Sequence, residues 1–194
     1  MEATLRPVYR GGAFALAAFG ASGPNAVNEE VADDDSTFLY GNSGLGTQDF
    51  SSSFTTDWDV TAGGIVKVTT YIRCRKHDGT VSVGNAYTYI RNSSNEEAFG
   101  SSNALGTSYA EYNTEYSTSP FTGSAWTSEE LEGLQIGVKL ETDSEGSNPA
   151  NPGAVKCTQI WAVIEYTQLV KKLVIPSGQK LTIPAGSKVT LGEL

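Results

Sequence analysis

At 194 residues the chain is long enough for one large domain, or one domain and a small appendage, and needs neither a disulfide nor a metal to hold a core. Its 21 glycines, 9 tyrosines and single methionine suit strands better than helices. A formal net charge of −9 repels phosphate backbones and excludes a nucleic-acid partner. No apolar run reaches the ~18–20 residues needed to span a bilayer, so no membrane partner is expected.

In chain order, the first apolar stretch is Gly11 to Gly20 (GGAFALAAFG). It is short and lacks the charged start and cleavage pattern of a secretion signal, which implies synthesis in the cytoplasm without signal-directed export. An acidic stretch follows, with Glu29-Glu30 and Asp33-Asp34-Asp35. Hard cations take about six to eight oxygen ligands from a flexible loop. The order Asp-x-Asp-x-Asp-Gly is missing here, so the expectation is a solvated acidic loop, with no metal and no other cofactor. Phe38 to Tyr40 and Phe50 to Phe54 are short strand candidates. Asp57 and Asp59 flank Trp58. Acids beside a tryptophan occur in sugar sites, and equally at strand edges where the ring is core and the acids are solvated. The second reading is preferred for the acids, and Trp58 is kept as a candidate partner-binding residue.

Ile65 to Arg75 (IVKVTTYIRCR) alternates with a period of two. Val66, Val68, Thr70, Ile72 and Cys74 share one face, and Lys67, Thr69, Tyr71, Arg73 and Arg75 the other, as in a half-buried strand. Val81 to Arg91 (VSVGNAYTYIR) alternates again after Asp78-Gly79, which predicts a β-hairpin. His77, the one histidine, sits beside that turn and reads as a solvated surface residue. Ser108 to Ser117 is a further strand candidate. Its Tyr109, Tyr112 and Tyr116, with Phe121, suit a sugar- or protein-binding strip, because tyrosine brings contact area at small entropic cost. They are equally ordinary strand residues, and both readings stay open.

Thr127-Ser-Glu-Glu130 is a capping-box pattern. With Trp126 as a hydrophobic staple, Leu131 and Leu134 at helical spacing and Gly133 as a stop, it predicts one or two helical turns leading into a strand over Leu134 to Glu141. Lys156 to Thr167 (KCTQIWAVIEYT) is apolar on both faces. Strict alternation puts Ile160, Ala162, Ile164 and Tyr166 on one side and Cys157, Trp161 and Val163 on the other, as in a central strand covered on both sides. Cys74 and Cys157 have neither zinc nor redox-motif spacing and read as two buried thiols.

Many short strands, one short helix and polar turns predict an all-β fold, an antiparallel two-sheet jelly-roll-like sandwich over residues 1–168. Residues 169–194 differ. Ile175 to Ile183 (IPSGQKLTI) and Ile183 to Leu191 (IPAGSKVTL) are two copies of one pattern. In extended chain this β-repeat lines Leu181, Ile183, Val189 and Leu191 on one side and Lys180, Thr182, Lys188 and Thr190 on the other. Two rungs do not bury an apolar row alone. The expectation is an oligomerisation element, most simply a homotrimer, with Ile175, Leu181, Ile183, Val189 and Leu191 on its axis. The alternative is a hairpin folded onto its own sandwich.

No nucleophile elbow, phosphate loop or dinucleotide fingerprint occurs, so no enzymatic activity is expected and no catalytic residue is assigned. The order of features resembles jelly-roll structural proteins of tailed-bacteriophage particles. It is carried by Arg6-Pro7, the acidic run before the Phe/Tyr strand (Asp33 to Tyr40), IVKVTTYIRCR, the Trp126 to Leu131 turn leading into Gly137-Val138, and the strand Thr158 to Tyr166. The resemblance implies a place on the exterior of the virion. The expected role is a capsid decoration, or cement, protein that clamps the major capsid protein or other virion proteins. A tail or fibre protein with a glycan-binding sandwich is the alternative.

Overall fold

The computed structural model describes residues 1–5, 38–41, 54–55, 62–77, 81, 83–142 and 155–168. The acidic stretch before Phe38, Trp58 with its flanking aspartates, and the C-terminal repeat lie outside them. In chain order the elements are β1 (Glu2–Leu5), β2 (Leu39–Gly41), β3 (Phe54–Thr55), β4 (Ala62–Lys76), β5 (Gly84–Arg91), β6 (Glu97–Phe99), β7 (Asn103–Ala104), β8 (Ala110–Tyr116), α1 (Ser128–Glu132), β9 (Gln135–Thr142) and β10 (Val155–Gln168).

The strands form two antiparallel sheets, as their alternation predicts. The first has the order β1–β10–β4–β8. Because β4 pairs along the whole of β10, β1 and β2 share the other edge of β10, opposite residues 162–165 and 155–157 respectively. The second has the order β3–β9–β5–β6, with β7 beside β6 on the same edge of β5. Each sheet therefore has four strand positions, and the chain crosses between the sheets in the jelly-roll sequence. The sheet edges are split or very short strands, except β8, which turns Glu111, Asn113 and Glu115 to solvent. Short or charged edges resist pairing with other chains.

This arrangement corrects the hairpin expected from Asp78-Gly79. β4 pairs with β10 and β8, while β5 pairs with β9, β6 and β7, so the connection between β4 and β5 passes from one sheet to the other. A period-two pattern fixes which face is apolar but not which strand lies alongside.

The inner faces meet in one core. Val68, Ile72, Cys74, Ile160, Ala162 and Ile164 come from the first sheet, and Ala86, Ile90, Ile136, Val138 and Leu140 from the second. Each fully buried aliphatic side chain contributes roughly 1.5–3 kcal/mol. One bulge changes the expected facing of β10. Cys157 is paired with Cys74 and Gln159 with Arg73, which makes Thr158 the extra residue. The inserted residue turns Cys157 to the core side with Ile160, against strict alternation. A second shift, between Glu165 and Tyr166, pairs Tyr166 with Ile65 and leaves Val66 51% exposed rather than in the core row.

α1 lies in the connection from β8 in the first sheet to β9 in the second. Thr127 Oγ1 accepts from the Glu130 backbone N–H (3.2 Å), and Glu130 Oε2 accepts from the Thr127 N–H (2.9 Å), completing the predicted capping box. Leu131 and Leu134 are buried, and the Trp126 Nε1–H donates to the Tyr116 carbonyl at 3.0 Å. Partial burial works to raise the Glu130 carboxyl, but hydrogen bonds from Ser119, the Thr127 backbone and Thr122 outweigh it and hold it below the usual range.

Candidate functional site

β5 and β9 pair residue for residue from Gly84 opposite Thr142 to Arg91 opposite Gln135. Their inner row is the apolar set of the core. Their outer row places Asn85 opposite Glu141, Tyr87 opposite Lys139, Tyr89 opposite Gly137, and Arg91 opposite Gln135. β6 adds Phe99 opposite Tyr89. An aromatic and charged patch results on the outside of the second sheet.

Its contacts are specific. The Tyr87 hydroxyl donates to Glu141 Oε2 at 2.6 Å, and the Asn85 amide donates to the same oxygen at 3.5 Å. Lys139 Nζ lies 3.7 Å from Glu141 Oε1 and 5.2 Å from the ring centres of both Tyr87 and Phe99. Tyr89 and Phe99 are 5.0 Å apart with ring planes tilted by 43°, and the Tyr89 hydroxyl donates to Glu97 Oε1 at 2.8 Å. Gly137 has no side chain to compete for the space opposite Tyr89, whose ring is almost fully buried. Phe99 at the rim stays 40% exposed. The hydrogen bond to Glu141 raises the Tyr87 phenol above its ordinary range, outweighing a lowering contact with Ser102. A half-exposed ring beside a carboxylate, an amide and an ammonium group can stack an apolar face and exchange hydrogen bonds with a ligand.

The outer face of the first sheet is different. Tyr71 and Trp161 stack with ring centres 4.9 Å apart and planes 3° from parallel. Lys67 Nζ lies 2.7 Å from Glu165 and 3.4 Å from Glu115. The bond to Glu165 is the largest influence on the Lys67 ammonium and, joined by the bond to Glu115, raises it above its ordinary range against the opposing loss of hydration.

The tyrosines singled out from sequence do not form one strip. Along β8, residues Ala110, Tyr112, Thr114 and Tyr116 turn inward, and Tyr112 and Tyr116 pack against the core. Burial raises both phenols. The Tyr112 hydroxyl reaches the Gly106 backbone, while that of Tyr116 lies buried near Thr88 without a hydrogen bond of good geometry. Tyr109, just ahead of the strand, lies on the other side, under the guanidinium groups of Arg73 (5.6 Å) and Arg75 (5.0 Å). Phe121 packs edge-on against Trp126. His77 is half-buried at the end of β4, and its carbonyl accepts from Arg75 Nη1 at 3.0 Å. Trp58 and the tail residues Ile175, Leu181, Ile183, Val189 and Leu191 lie outside the described residues.

Sequence reading missed Tyr87, Phe99, Lys139 and Glu141 as a set. The available signal was the outward row of VSVGNAYTYIR, in which Asn85, Tyr87, Tyr89 and Arg91 share a face. Among the described residues, no three His, Cys, Asp or Glu side chains gather as a metal site requires. The chain matches no protein-family model, no curated protein and no solved structure.

Proposed function

We propose that this chain is a structural protein of a tailed-bacteriophage particle, a capsid decoration protein that binds across neighbouring subunits of the major capsid protein on the outside of the head. The observation that carries this reading is the strand order. Two four-position sheets wound as a jelly roll recur in viral capsid and lectin domains. A fold alone selects no chemistry, and the phage-like order of sequence motifs adds the direction. The side chains on both outer faces are engaged in fixed cross-strand contacts, which suits a rigid binding surface. In this reading residues 169–194 join three copies around an axis formed by Ile175, Leu181, Ile183, Val189 and Leu191.

A second reading, a tail or fibre protein that binds a glycan, is favoured by one observation, the exposed Phe99 beside Tyr87, Lys139 and Glu141. Purified particles and purified protein separate the two. Quantitative mass spectrometry of the particle should find the chain in high copy number, comparable to the capsid subunits. Light scattering should give a trimer that Ile183→Asp reduces to a folded monomer, because three carboxylates would be buried side by side without partners. A low copy number would move the assignment to the tail, where Phe99→Ala should weaken glycan binding. A wild-type monomer would remove the trimer.

A further inference from the structure

Cys74 and Cys157 are far apart in sequence, yet the β4–β10 ladder sets them directly opposite each other. Both side chains point into the core, both are fully buried, and both thiols are free. They are the only two cysteines in the chain. The Cys157 thiol donates to the Gln159 carbonyl at 3.3 Å, and the Cys74 thiol is hydrogen-bonded to Cys157.

We propose that this pair is a latent cross-strand disulfide, a dithiol that closes when the protein meets an oxidant and reopens in reductant, stapling the two central strands of the first sheet. Opposed residues of antiparallel strands have Cα atoms about 4.5–5.5 Å apart, inside the ~4.4–6.8 Å range that a disulfide accepts. Their Cβ atoms are about 4.5–5.5 Å apart, against ~3.5–4.5 Å in a disulfide, so closure draws the two Cβ atoms together by typically about 1 Å. The bulge at Thr158, next to Cys157, is where the ladder is already irregular and yields most readily. A bond that retains some strain is the reducible kind, which makes the closure reversible.

Closure takes one proton and one electron from each thiol and forms one S–S bond. With dissolved dioxygen as acceptor they leave as hydrogen peroxide, and with the azo oxidant diamide as the corresponding hydrazine. Burial, and then the hydrogen bond to Cys157, push the Cys74 thiol well above its ordinary range. Thiolate is therefore scarce in the folded protein and closure there is slow. The long loop between the two residues means that the bond, once closed, restricts the unfolded chain strongly.

The test uses the full-length protein, treated with dithiothreitol or diamide, both folded and during refolding from urea. Each sample is then unfolded, blocked with N-ethylmaleimide and weighed by mass spectrometry. After diamide, the chain should take up no maleimide, weigh two hydrogens less than the unlabelled reduced chain and run as a single chain on a non-reducing gel. Its melting temperature should rise by several degrees and fall back on reduction. Cys74→Ala and Cys157→Ala should each abolish the oxidant-dependent rise. Should neither variant fold, the maleimide count on the wild-type chain still decides. Two maleimides per chain after every treatment, covalent dimers as the product, or a closed bond that leaves the melting temperature unchanged or lower would overturn the proposal.

Discussion

The ladder between β5 and β9 runs through eight register pairs without a break, whereas the longer ladder between β4 and β10 is interrupted by three shifts. Both ladders bury the same kind of apolar row, yet they use their outer faces differently. In the unbroken ladder every outward side chain keeps its neighbours, so Asn85, Tyr87, Lys139 and Glu141 meet in one connected patch. In the broken ladder only the middle stretch, from Gln159 opposite Arg73 to Glu165 opposite Lys67, stays in register, and its outer row carries the Tyr71–Trp161 stack and the Lys67–Glu165 ion pair. The shifts lie at the two ends of that stretch, where one turns Cys157 inward opposite Cys74 and another leaves Val66 exposed. Regular pairing builds a continuous surface, and bulges redirect single residues.

The largest expected effect contrasts the two ladders in the core. Leu140→Ala on β9 and Ile160→Ala on β10 each remove a fully buried side chain. Losses of this type run to about 2–5 kcal/mol, less where the surroundings collapse into the space. Ile160 lies next to the bulge, where the backbone is already irregular, so its loss should fall at the lower end and that of Leu140 at the upper. Urea unfolding of both variants measures this, and equal losses would mean that the bulge gives no relief.

A smaller effect is expected where the two sheets are tied together. The Thr88 hydroxyl on β5 donates to Thr114 Oγ1 on β8 at 2.6 Å, and the Gly100 N–H donates to the Thr88 carbonyl at 2.9 Å. A Cβ at Gly100 would overlap both threonine hydroxyl oxygens. Gly100→Ala should therefore cost about 1–3 kcal/mol by overpacking. Adding Thr114→Ala, which removes one of the overlapping oxygens, should recover part of that cost in a double-mutant cycle. Strict additivity of the two losses would show that the overlap is relieved elsewhere.

The smallest effect is on the patch itself. The folded-state phenol of Tyr87 is raised, chiefly by its bond to Glu141. The stability from this bond is complete below the ordinary tyrosine range and is lost as pH rises through the folded value. Absorbance at the tyrosinate band should show Tyr87 titrating late together with the buried Tyr112 and Tyr116, and Glu141→Gln should move one of these late phenols earlier. If the substitution leaves the titration unchanged, the Tyr87–Glu141 bond does not hold the patch together in solution.

Much of this architecture was legible residue by residue. The α1 capping box was readable because its partners stand three residues apart, and the strand positions of β4, β5, β8, β9 and β10 because period-two alternation is local. The candidate site was less so. Tyr109, Tyr112 and Tyr116 are close in sequence, but Tyr112 and Tyr116 pack against the core while Tyr109, just ahead of β8, lies under Arg73 and Arg75. The patch that does assemble draws Tyr87, Phe99 and Lys139 from three strands, and no short stretch of sequence contains all of them. The short strands β1, β6 and β7 carry too few residues to show a period.

By itself, then, the sequence determined the strand-rich class, the apolar face of each regular strand and the short capped helix, because each depends on contacts within a few residues. Tertiary structure decided which strands lie side by side, where β10 bulges, and that Cys74 meets Cys157. Several strands present equally apolar faces, and a period-two pattern is satisfied by any of them. Only the competition among all pairings, with the loop-closure cost of each and the fit of the shared core, selects one.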